Sequence, residues 1–327
     1  MLSNTLKIGS LDIYPPLALA PMVGLSHSAF RTLLLELGGV GLLFTEMLSA
    51  KRLPSENEAI SPFLIRGQEE HPLFYQLFLN DWQVAEKAVE KLHTLNAQGI
   101  DINFGCPAPQ LRKQGAGSII TENFSKVSMI LKTIRRSTSL PLSAKIRLGL
   151  KSNKTRYIDL CKLIESEGAD CLTIHARFNT EKFCRRPHWA WIETAKENIS
   201  IPIIANGGIY TTEDARRCVS ETGADGLMIG RGAVCRPWIF SEIQNELYSR
   251  DKKNIIIDPA TIYKRFTKLL QIRFSKEKQL GRLKQFTHYY ATLFSYGHYL
   301  ATDVQTSLSV DQAIERADYF FSKNSIQ

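Results

Sequence analysis

The 327-residue chain predicts an α/β fold, a (β/α)8 TIM barrel followed by a small C-terminal all-helical domain. Three observations carry that prediction. Eight short apolar segments, each ending in a polar turn, alternate with amphipathic helical stretches, the pattern of parallel βαβ units. The turns after the seventh and eighth segments are glycine-rich (ANGG, IGRG), and eight such units close a barrel at about 250 residues. Beyond Leu247 the alternation stops and helical periodicity runs to the end.

The elements follow in order. Leu6–Tyr14 alternates around a Gly-Ser turn and reads as a β-hairpin able to plug the bottom of a barrel. Strands are expected at 17–20, 42–45, 73–76, 100–103, 142–146, 171–174, 203–205 and 226–229. Helices are expected at 81–95, 123–136, 156–167 and 212–222, with Glu213 and Asp214 suiting the last one's N-terminus. The barrel takes residues 1–247, a charged linker follows at 248–254, and the helical domain takes 256–327. In that domain Ile262, Phe266, Leu269, Leu270 and Phe274 supply one apolar face, which Leu283, Phe286, Tyr290, Leu293 and Phe294 continue.

Composition narrows the function. No apolar run reaches membrane-spanning length and the N-terminus carries no signal-peptide pattern, so a cytoplasmic protein without a membrane partner is expected. The six cysteines are scattered with no C-x-x-C pair, which argues against a zinc or iron–sulfur site and for free thiols. Residues 107–156 hold eleven Lys and Arg against one acid, and 250–285 eleven against three, whereas the remainder is acidic. Two basic segments on an acidic body suggest a polyanion footprint, although charge runs also serve as solvated helix faces. Nothing calls for an oligomer.

Polar residues stand at the C-terminal ends of the predicted strands, where barrels of this type place their chemistry. They are Pro21 and Met22, Glu46, Gln76, Asn103 with Cys106, Lys145 and Arg147, His175 and Arg177, Asn206–Gly207–Gly208, and Gly230–Arg231. Any one of them could be structural; their convergence on one face favours a site. ANGG and IGRG suit phosphate, because glycine lets backbone N–H groups approach an anion. No G-x-G-x-x-G follows a strand and no Walker A sequence occurs, so a Rossmann or P-loop domain is not expected. In DINFGCPAPQLRKQGAGS, Cys106 stands between a strand end and Pro107, ahead of a loop with Arg112 and Lys113.

Together APM (20–22), TEM (45–47), YQLF (75–78), DINFGCP…GAGS, AKIRLG (144–149), TIHAR (173–177), IANGGI (204–209) and MIGRGA (228–233) resemble the tRNA-dihydrouridine synthase family over almost the whole chain. The stretch GRLKQFTHYY (281–290) is similar to that family's basic element in the helical domain. After His-Ala-Arg, FNTEKFCRRPHWAW (178–191) departs from the family's usual threonine and Gln/Tyr/Gly pattern.

The resemblance implies an FMN-containing barrel that reduces a uridine in tRNA at the expense of NADPH. Cys106 would be the general acid. Pro21, Met22, Val23, Gln76, Lys145, His175, Asn206, Gly207, Gly208, Gly230 and Arg231 would hold the flavin. Asn103, Arg147, Arg177, Arg282 and Lys284 would contact the substrate. Two other readings stay open at this point: a dihydroorotate-dehydrogenase-like flavin barrel acting on a free small molecule, and a tRNA-binding protein without turnover. Salt-sensitive tRNA binding would discount the first, and a yellow protein with an FMN spectrum the second.

Overall fold

The computed structural model describes residues 5–249 and 257–323. Eleven strands are present among them: β1 (Leu6–Ile8), β2 (Leu11–Ile13), β3 (Leu17–Leu19), β4 (Leu43–Phe44), β5 (Leu48–Ser49), β6 (Leu73–Phe78), β7 (Gly99–Phe104), β8 (Leu142–Arg147), β9 (Cys171–His175), β10 (Ile203–Asn206) and β11 (Gly226–Ile229). Nine helices accompany the barrel: α1 (Ser28–Leu37), α2 (Ala85–Thr94), α3 (Pro109–Lys113), α4 (Phe124–Ser137), α5 (Lys154–Ser166), α6 (Ala190–Lys196), α7 (Thr212–Thr222), α8 (Arg231–Cys235) and α9 (Ile239–Ile243). Four more follow: α10 (Pro259–Arg273), α11 (Lys276–Tyr290), α12 (Gly297–Gln305) and α13 (Val310–Lys323).

The eight expected strands are all present and all parallel. Their order is β3-β11-β10-β9-β8-β7-β6-β4. The Leu19 N–H donates to the Leu42 carbonyl at 2.9 Å, which brings β3 against the start of β4 and closes the barrel. Strand β5 was not expected; it continues the pairing along β6 beyond β4 (Leu48 opposite Leu77), since the chain jogs at Glu46–Met47 and then rejoins the ladder. The hairpin β1–β2 plugs the barrel, with Leu6, Ile8 and Ile13 packed against Phe44, Phe74, Ile204 and Met228 in its interior.

Local chemistry sets the helix ends. α7 spans the expected 212–222 and starts after Thr211, whose side chain accepts from the Asp214 N–H while the Asp214 carboxylate accepts from the Thr211 N–H, a capping box. α10 is capped by Asp258 with Pro259 at its first position, where no N–H is needed. The charged linker lies mostly outside the described residues, as does the boundary at 250–256.

The last four helices share a core with the barrel. Ile262, Phe266, Leu269, Leu270 and Phe274 of the expected apolar face are all buried. Phe266 stacks on Phe286 of α11 with centroids 3.8 Å apart, and both reach Phe30 of α1. Burying such a ring is worth about 1.5–3 kcal/mol, so this seam is cohesive rather than a loose tether. Two ion pairs reinforce it, Arg265 with Glu36 and Arg273 with Glu69, each at 2.5 Å. Two of the expected basic footprint's arginines are therefore spent on the barrel.

Candidate active site

A cavity of about 300 Å³ opens at the C-terminal ends of the strands. Its walls come from the turn after β3 (Pro21, Met22, Val23), the end of β7 (Asn103, Cys106), β8 (Lys145, Arg147), β9 (His175, Arg177) and the glycine turns after β10 and β11. The structure brings together all the expected site residues except Gln76, Arg282 and Lys284.

Cys106 is placed by a network beneath it. The Asn103 side-chain oxygen accepts from the Gly105 N–H at 3.2 Å and the Cys106 N–H at 2.9 Å, which turns the chain out of β7. Asn103 Nδ2 donates to Gln76 Oε1 at 2.8 Å and to the Met47 sulfur at 2.9 Å. Gln76 Nε2 in turn donates to Asp101 at 2.5 Å, and Ser143 donates to the other Asp101 oxygen at 2.6 Å. Gln76 is fully buried and does not line the cavity. Its amide joins Asn103, which lines the cavity, to Asp101 beneath it. Burial pushes the Asp101 carboxyl up to about 6, against the pull of its Gln76 and Ser143 bonds. The GAGS turn closes on the same elbow. The Ser118 N–H donates to the Cys106 carbonyl at 2.9 Å, and a side chain at Gly117 (φ +67°) would lie 2.4 Å from that oxygen.

The opposite wall is cationic. Lys145 Nζ donates to Asn206 Oδ1 at 2.9 Å, and Asn206 Nδ2 to the Met228 carbonyl at 2.7 Å. Burial, then the neighbouring Arg147, pushes Lys145 down to about 8, while Asp101 and Cys106 oppose that shift. Burial likewise pushes Arg147 down to about 10. His175 lies well below its ordinary range because of burial and the surrounding Lys145, Arg147, Arg177 and Arg231. It is neutral, and its Nε2 accepts from Arg177 Nη1 at 3.0 Å. Gly207 (φ +111°) packs so closely that an added Cβ would meet His175 Cδ2 at 2.8 Å. Among the described residues, none of Lys145, Arg147, Arg177 and Arg231 stands within ion-pair distance of a carboxylate.

The divergent segment after Arg177 folds over this wall. Phe183 stacks on His175 (centroids 5.8 Å apart, planes at 17°), with the Arg231 guanidinium 4.4 Å and that of Arg147 5.2 Å from its ring. Arg177 donates twice to the Arg185 carbonyl, at 3.0 and 2.7 Å, so it braces this loop. At the loop's base Glu181 accepts from the Phe178 N–H and pairs with His188, both at 2.8 Å.

The lining residues not singled out in the sequence include Leu25, Phe183, Tyr210, Gln285 and Tyr289. The last two lie within GRLKQFTHYY, where helical spacing from Arg282 selects 285 and 289 on one face and excludes 284. Arg282 itself is half-buried in the seam, its guanidinium 4.2 Å from the Phe274 ring and within the field of Glu46. Among the described residues no three His, Cys, Asp or Glu side chains cluster as metal ligands, and no helix is long and apolar enough to cross a membrane.

Known proteins agree with this geometry. The family model described as dihydrouridine synthase matches residues 18–317. A Synechocystis protein described as probable tRNA-dihydrouridine synthase 1 is 32% identical over 251 residues, 77% of this chain and 70% of that one. A Mycobacterium tuberculosis protein described as a probable tRNA-dihydrouridine synthase is 29% identical over 332 residues, 97% of this chain and 85% of that one. Among solved structures, morphinone reductase in complex with tetrahydroNAD has a TM-score of 0.55 at 11% identity, covering 79% of this chain and 93% of that one, a likeness of fold. With the family's model spanning both the barrel and most of the helices behind it, the chain belongs to the dihydrouridine synthase family.

Proposed function

We propose that this protein reduces the C5–C6 double bond of a uridine in tRNA to 5,6-dihydrouridine, with FMN held in the cavity and NADPH as reductant. The observation that carries the reading is the meeting of Cys106 and Lys145 in one cavity, in a chain of this family.

The residues suit a flavin phosphate. Four cations with no carboxylate at ion-pair distance among the described residues, beside two glycine turns that line the cavity, form a wall that an anion would complete. Gly207, Gly208, Gly230 and Arg231 would hold the phosphate. Lys145, steadied by Asn206, would stand by the ring's polar edge, and Pro21, Met22 and Val23 would give it an apolar wall. When bound, the flavin supplies the hydride that uracil C6 receives.

The protein's own part is binding, orientation and one proton. Cys106 would deliver that proton to C5 as a thiol. Asn103 fixes the Cys106 elbow. One of its amide hydrogens faces only the Met47 sulfur, a weak acceptor, so a uracil carbonyl could take over that bond. Arg147 would meet the substrate from the same side. A base inside folded RNA must be extruded to reach this depth, at a cost of a few kcal/mol. Contacts from the basic segments, including Arg282 and Lys284 on α11, would offset that cost through the RNA backbone.

Purified protein mixed with unmodified tRNA and NADPH tests the proposal. A flavin absorption spectrum, bleached by NADPH and restored by tRNA as dihydrouridine forms, is expected. A flavin that NADPH bleaches but tRNA leaves reduced would instead favour a small-molecule reductase.

A further inference from the structure

One peptide in the cavity wall is held from two different parts of the molecule. The Val23 carbonyl accepts from Gln285 Nε2 on α11 at 2.8 Å, and the N–H of the next residue, Gly24, donates to Glu46 Oε2 after β4 at 2.6 Å. These two atoms belong to the same peptide unit. The Leu25 N–H donates to the Met22 carbonyl at 3.1 Å, so Met22–Leu25 is a β-turn with Gly24 (φ +73°) at its third position, the type II arrangement. In that turn the central peptide has a flipped alternative, type I, with the carbonyl and N–H exchanged in direction. A donor on one side and an acceptor on the other select the type II state.

The clamp is tight and spans the seam. A side chain at Gly24 would lie 2.0 Å from Gln285 Oε1. Val23 and Gln285 both line the cavity, and Arg282 lies one turn back on α11, within the field of Glu46. Among the described residues the second Glu46 oxygen and Arg282 Nε are buried without a hydrogen-bond partner, and the two groups lie within each other's field without forming an ion pair.

We infer that Gln285 and Glu46 are positioning residues which fix the Val23–Gly24 peptide and thereby link the seating of RNA on α11 to the shape of the cofactor-side wall. The inference rests on the proposed flavin and tRNA reading of the cavity. Gln285 touches neither reacting atom; it acts through the turn. Linkage makes the effect reciprocal: if the flavin tightens tRNA binding by some factor, tRNA must tighten flavin binding equally.

The experiment measures tRNA affinity for flavin-loaded and flavin-free protein, and flavin affinity with and without tRNA. In the wild type each pair should differ by the same factor, at least about 5-fold. Gln285→Ala should bring both ratios toward 1, and Gln285→Glu, which offers no donor to the Val23 carbonyl, should do the same. Glu46→Gln keeps an acceptor for the Gly24 N–H and should retain the coupling. Thermal melting of each variant separates a lost link from a lost fold. A folded Gln285→Ala protein with undiminished coupling would overturn the inference, as would a wild type that binds both ligands without coupling. Failure to bind flavin at all would instead remove the functional reading beneath it.

Discussion

The two sides of the cavity solve their electrostatics in opposite ways. Below Cys106, Asp101, Gln76, Ser143 and Asn103 form a chain in which each side chain is donor or acceptor to the next. Across from it, Lys145, Arg147, Arg177 and Arg231 crowd together, and burial with mutual repulsion shifts Lys145, Arg147 and His175 down. A satisfied buried network is architecture, since it stabilises one conformation and needs nothing further. A cluster of cations with no carboxylate at ion-pair distance among the described residues marks a candidate anion site, because an anion would offset its repulsion. The first side should therefore govern stability and the placing of the thiol, and the second should govern affinity.

The largest effect is expected at the thiol between them. Cys106→Ala should lower single-turnover dihydrouridine formation by about 10²–10⁴-fold, the usual worth of a positioned acid, with flavin content near that of the wild type. Next, Lys145→Met should weaken flavin binding by about 10–100-fold, as loss of a charged hydrogen bond does. With Lys145 held at about 8, flavin affinity should be greatest below that pH and fall by up to about tenfold per unit above it. Lys145→Arg, charged throughout, should flatten that profile. A flat wild-type profile in a fluorescence titration would take the charge of Lys145 out of binding.

On the other side the readout is stability. The Asp101 carboxyl is pushed up to about 6 in the fold from an ordinary 3.8, so between those values the folded protein binds the extra proton. Stability should fall as pH rises from about 4 to 6, and Asp101→Asn should remove that slope. The smallest effect is expected for Ser143→Ala, about 1–2 kcal/mol in denaturant unfolding with flavin affinity little changed. A large loss of flavin affinity in Ser143→Ala would erase the distinction between the two sides.

The barrel was legible because eight short apolar runs, each ending in a turn, alternate with amphipathic helical stretches. Strand β5 was not, since two residues carry no periodicity and only β6 shows where they pair. Cys106, Lys145, His175 and the glycine turns were readable as strand-end chemistry. Gln76 stands one hydrogen bond beneath the lining, since a strand-end position does not say how near the mouth a side chain lies. Arg282 and Lys284 were chosen by charge, whereas the helix brings the uncharged Gln285 and Tyr289 to the cavity. Phe183 lay in a stretch whose departure from the family pattern hid its place between two guanidiniums.

The central claim is that this cavity reduces uridine in tRNA with Cys106 as its acid. The most direct test maps dihydrouridine across cellular tRNA in a strain lacking the gene, then restored with wild type or Cys106→Ala. Loss at a defined position, recovered with the wild type and not with Cys106→Ala, is the predicted result. An unchanged map in the deletion, with every position still modified, would contradict it.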